Sequence, residues 1–141
     1  MIDPPLPTGV ASSNRLSWPA AFAVAWNGIW YAIRTQRSMQ VHIVVTPCVI
    51  ALAAWLGVSA MEWCCLAIVI GFVMTAELLN TAIEVVVDEL CPERNHHAGL
   101  AKDLAAGAVL LASITAVVIG LGIFGPRLWT LAFSRDAIPA G

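Results

Sequence analysis

Residues 63–90 read WCCLAIVIGFVMTAELLNTAIEVVVDEL. From Cys64 to Ala76 the run is apolar apart from Thr75; then come Glu77, Asn80, Thr81, Glu84 and Asp88. At about 100° per residue these five fall in one sector of roughly 100°. Glu77, Glu84 and Asp88 are almost eclipsed, with Asn80 and Thr81 on the flanks. An apolar helix of this length is a membrane span, and carboxylates on it are costly unless paired, protonated or metal-bound. Asp88 and Glu89 suit a helix end that reaches water. Glu77 does not, because it lies about three turns further in.

The rest of the chain agrees with a membrane reading. Of its 141 residues, 60% are hydrophobic and 11% charged, and mean hydropathy is +0.83. A soluble domain carries about 25% charged residues, so this chain cannot cover a water-facing surface. A net charge of −2 with seven Lys+Arg leaves no electrostatic footprint for nucleic acid. The four cysteines, Cys48, Cys64, Cys65 and Cys91, make no C-x-x-C pair. They read as small apolar side chains. Cys91 with His96 and His97 lacks a standard zinc spacing.

Working outward, the expected fold is an all-α membrane protein with three spans and an amphipathic N-terminal helix. Residues 1–16 read as a flexible tail without a cationic, apolar signal peptide. Residues 18–40 form a helix with Phe22, Trp26, Ile29, Trp30 and Ile33 on one stripe. Trp18 and Tyr31 add to its aromatic content, which suits the membrane–water boundary. Gln36 and Gln40 continue that face as polar residues. Spans are expected over 43–60, with Pro47 in its first turns, over 63–90 and over 104–124, with a tail over 126–141. Gly57 and Glu62 mark the turn between the first two. Ala108, Ala112, Ala116 and Gly120 form a small-residue ridge for close helix packing, within or between subunits. Arg15, Arg34, Arg37, Arg94 and Lys102 fall on one side, and Arg127 and Arg135 on the other. That imbalance places the N-terminus and the acidic stripe in the cytoplasm.

What would neutralise the stripe? Lys102 and Asp103 stand just before the third span. Carboxylates suit Mg²⁺, a lysine suits phosphates, and a further carboxylate can accept a proton from an attacking hydroxyl. No P-loop or dinucleotide-type glycine motif is present. The residues alone give an oligomeric membrane protein with an acidic cation-binding site. They leave a kinase, a transporter and a non-enzymatic cation-binding scaffold all open.

The run ELLNTAIEVVVD at 77–88 resembles the E-[IL]-[LI]-N-[ST]-A-I-E-x-[VI]-[VI]-D signature of the prokaryotic diacylglycerol kinase/undecaprenol kinase family. AKDLAAGAVL at 101–110 is similar to that family's second signature, and Phe22-x-x-Ala25-x-x-Gly28-Ile29 looks like its N-terminal helix. The resemblance covers about residues 20–125. It implies a homotrimer in the bacterial plasma membrane, with active sites at subunit boundaries on the cytoplasmic side. There ATP and Mg²⁺ would phosphorylate a lipid alcohol. Glu77 matches the family's general base and Glu84 a carboxylate for the nucleotide's metal, while Asn80, Lys102 and Asp103 match residues around the nucleotide. Gln36 stands where a metal-binding glutamate is expected, keeping an oxygen but losing the charge. Arg37 and His42 keep the pattern and favour the undecaprenol branch; with Asp88 they are candidates for lipid contact or structural support.

Overall fold

The computed structural model describes residues 17–91 and 96–133. Four helices follow one another: α1 (Trp18–Thr35), α2 (Arg37–Trp55), α3 (Ala60–Leu90) and α4 (His96–Phe133). No strand occurs among the described residues. The last three helices are long and apolar enough to cross a bilayer. The 31 residues of α3 rise about 46 Å, against a hydrocarbon core of about 30 Å. Its ends therefore extend past the apolar slab.

α4 packs chiefly against α3, and α2 closes one side of that pair. The inward stripe of α3 is Leu66, Val69, Val73, Glu77 and Thr81, spaced three and four apart. Facing it, α4 buries Ala105, Ala112, Ile123 and Phe124. The apolar core lies at one end of the bundle, where Ala53, Val58, Leu66, Ile123 and Phe124 meet. Elsewhere large apolar side chains point outward, among them Ile68, Phe72, Leu111, Val118 and Leu121. Such a surface would aggregate in water and is natural against lipid or another subunit.

The turn between α2 and α3 has two local causes. Gly57 takes φ +62°, the left-handed region that costs glycine little. Ser59 then starts α3 with a capping box: its hydroxyl accepts from the Glu62 N–H, and Glu62 accepts from the Ser59 N–H at 2.7 Å. Glu62 is also gripped by a two-pronged Arg127 guanidinium, with both N···O distances 2.7 Å. This joins the start of α3 to the far part of α4.

Several boundaries differ from the sequence reading. The first helix ends at Thr35 rather than 40, because Gln36 takes an extended conformation (φ −100°, ψ 119°) between α1 and α2. No glycine or proline marks this break. The first span therefore begins at Arg37, not 43, and Pro47 lies well inside it. The helix expected over 104–124 runs from His96 to Phe133 and contains Pro126, so the first part of the expected tail is helical. The small-residue ridge divides: Ala112 is fully buried, Ala116 and Gly120 are half-buried, and Ala108 is exposed. The 1–16 tail, Arg94 and Arg135 lie outside the described residues.

Ala112 has 0% exposure, so a larger side chain there must push α4 off α3. Ala112→Leu is expected to destabilise the detergent-solubilised protein by about 1–3 kcal/mol, read as a lower thermal midpoint. An unchanged midpoint would mean that α3 and α4 do not meet there.

Candidate active site

The acidic stripe lies at the end of the bundle opposite the apolar core. The end of α3, the start of α2 and the start of α4 meet there, and each acid has its own partners. Glu77, the deepest, is 1% exposed. Its position continues the Leu66–Val69–Val73 stripe, so helical periodicity alone turns it inward. Oε2 accepts a hydrogen bond from Ser38 Oγ at 2.7 Å. Oε1 lies 3.2 Å from His42 Nε2, yet no aligned donor reaches that buried oxygen. The contact is thus an approach rather than a formed hydrogen bond. One turn on, the Thr81 hydroxyl donates to the Glu77 carbonyl at 2.9 Å.

Two turns towards the C-terminus, about 10 Å along the axis, stands Glu84. Its oxygens accept from Asn80 Nδ2 at 2.9 Å and Gln36 Nε2 at 3.1 Å. Asn80 Oδ1 is buried without a hydrogen-bond partner. Gln36 comes from the break between α1 and α2. The break is held on its other side by Gln40, whose Nε2 donates to the Arg34 carbonyl at 3.3 Å. Asp88 is exposed and pairs with Lys102 Nζ at 2.9 and 3.1 Å. The stripe is therefore graded from a sealed carboxylate, through a half-buried amide–carboxylate cluster, to an exposed ion pair.

Of the expected site residues, the structure brings together Glu77 with His42, Glu84 with Asn80 and Gln36, and Asp88 with Lys102. Arg37 and Asp103 are exposed. Ser38 is the residue that sequence reasoning missed. The signal was its i, i+4 spacing to His42, which becomes visible only once α2 starts at Arg37. No cluster of three His, Cys, Asp or Glu side chains occurs among the described residues. The four cysteines are free, and Cys91 is exposed.

Comparison with known proteins bears directly on this end of the bundle. The chain matches the prokaryotic diacylglycerol kinase family over residues 23–124, a stretch containing every side chain just described. The chain belongs to that family. The family is named for a lipid kinase activity. It is 44% identical over 112 residues to a protein from Synechocystis named diacylglycerol kinase, covering 79% of this chain and 64% of the relative. It is 39% identical over 108 residues to one from Bacillus subtilis named undecaprenol kinase, covering 77% and 88%. A diacylglycerol kinase from Escherichia coli strain K12 is 35% identical over 98 residues, covering 70% and 80%. The chain thus spans less than two thirds of the Synechocystis relative and most of the other two.

The Asp88–Lys102 pair yields a direct chemical test, because Lys102 is the sole lysine in the sequence. Asp88→Asn is expected to raise the rate at which an amine-selective ester acylates Lys102 severalfold, read by peptide mass spectrometry. An unchanged rate would show that the ammonium is not held by Asp88.

Proposed function

We propose that this chain transfers the γ-phosphate of ATP directly to the primary hydroxyl of a membrane lipid alcohol, with undecaprenol favoured over diacylglycerol. The observation that carries this reading is the grading of the α3 stripe. A sealed carboxylate with one oxygen that accepts no hydrogen bond from the described residues stands two turns from a cluster of side-chain oxygens, with a lysine beyond it. That order supplies a proton acceptor, a place for a hard cation and a charge for phosphate. Family membership supports the reaction class.

Glu77 accepts the hydroxyl proton as the lipid oxygen attacks phosphorus. No covalent enzyme intermediate is needed, because phosphoryl transfer asks mainly for positioning and charge neutralisation. The residues fit Mg²⁺: Glu84 offers a carboxylate, and the unpartnered Asn80 Oδ1 is a spare oxygen acceptor beside it. Gln36 adds an amide whose oxygen and nitrogen exchange places by a rotation. Bound there, the ion would offset charge on the phosphates. Lys102 turns from Asp88 towards the phosphates, with Asp103 on the same exposed turn.

The same reading orients the protein. Arg34, Arg37 and Lys102 flank the site, whereas Arg127 lies at the core end. This supports a cytoplasmic site and N-terminus in a bacterial plasma membrane. The aromatic face of α1 is exposed, Trp18 at 82% and Phe22 at 73%. That supports an interfacial helix. The outward apolar surface of the spans supports a homotrimer with sites at subunit boundaries. Arg37 and His42 support undecaprenol by their likeness to that branch of the family.

The test is label transfer from γ-labelled ATP by purified protein in mixed micelles, with undecaprenol and diacylglycerol compared and Mg²⁺ set against chelator. Label is expected in undecaprenol, lost with chelator and with Glu77→Gln. Label in diacylglycerol alone would reverse the substrate order. No label in either from well-folded protein would favour a non-enzymatic scaffold with a cation site. Glu84→Gln is expected to raise the Mg²⁺ concentration for half-maximal rate, and Gln36→Glu to lower it. Unchanged metal dependence in both would remove those residues from the cation site.

A further inference from the structure

A proton accepted by Glu77 has to leave a side chain that is 2% exposed. The two carboxylate oxygens are not equivalent. Ser38 occupies Oε2 at 2.7 Å, while Oε1 has no aligned donor and faces His42 Nε2 at 3.2 Å. His42 is 25% exposed, so its side chain faces the sealed oxygen through Nε2 and is itself only partly covered by this chain. Ser38 and His42 are four apart on that helix and present one face to Glu77. An imidazole is the side chain best suited to taking up and giving away a proton near neutral pH.

We propose that Ser38 and His42 together form the proton exit of Glu77. Ser38 holds Oε2, so the lipid hydroxyl delivers its proton to Oε1, and His42 carries that proton to the exposed edge. The proposal rests on Glu77 being the base. In the step, the lipid O–H bond breaks as its oxygen bonds to the γ-phosphorus, and the bond from that phosphorus to ADP breaks. The proton passes to Oε1 and on to His42 through Nε2, and for each proton taken up His42 gives one proton to water. Each phosphoryl group transferred thus returns Glu77 to the state in which the cycle began. Both α2 residues act through Glu77 rather than on the lipid.

The test uses the full chain in mixed micelles with γ-labelled ATP and whichever of the two lipids it phosphorylates. His42→Gln and His42→Ala are expected to lower kcat roughly 10- to 100-fold, a typical scale for a lost proton-transfer group, with KM for lipid and ATP unchanged. Added imidazole is expected to restore part of the His42→Ala rate and to leave Glu77→Gln unaffected. Ser38→Ala is expected to lower kcat, and Ser38→Thr to keep most of it. Wild-type kcat in His42→Gln, or no rescue of His42→Ala by imidazole, would overturn the proton exit. Activity persisting in Glu77→Gln would instead overturn the base assignment, so the two failures are distinguishable.

Discussion

A carboxylate stands in the buried stripe of a membrane-spanning helix, and the arrangement of the site end follows from that. Glu77 continues the line of Leu66, Val69 and Val73, so the geometry that packs α3 also drives a charge-bearing group inward. An ionisable group at that depth needs partners from a neighbouring helix. α2 supplies them as Ser38 and His42, which sit in its first turns because α2 begins at Arg37. The break at Gln36 sets that start and brings a side-chain amide to Glu84. Burial of one acid, the break between α1 and α2, and assembly of the amide–carboxylate cluster are thus one connected arrangement.

The two ends of the bundle divide the work. At the core end, apolar packing, the Gly57 turn, the Ser59–Glu62 capping box and the Arg127 fork hold α2, α3 and α4 together. At the other end contacts are polar, and two buried acceptors, Glu77 Oε1 and Asn80 Oδ1, accept no hydrogen bond from the described residues. Unsatisfied buried oxygens are costly for a fold and useful for a site, because substrate or cation can complete them. An anchored end lets the polar end keep that unfinished geometry.

Much of this was legible in one dimension. The three long apolar helices and the stripe of five polar residues on α3 follow from composition and periodicity, and the two signature runs point to the family. The helix break was not legible. Gln36 is an ordinary helix-tolerant residue, with no glycine or proline beside it. Its extended conformation accompanies a hydrogen bond to a residue 48 positions away. The helical continuation past Pro126 was likewise hidden, since the grip on Arg127 comes from Glu62, 65 positions earlier.

The sequence by itself determined the chemistry available: which acids share a face of α3, how deep each lies, and that a lysine follows within reach. Local spacing along a helix is enough for that, because side-chain direction repeats every 3.6 residues. Only the tertiary structure decided which partner each acid takes. Ser38 and His42 go to Glu77, Gln36 to Glu84 and Lys102 to Asp88. Those pairings depend on how α2 and α4 sit beside α3, and that register is set by packing between helices distant in sequence.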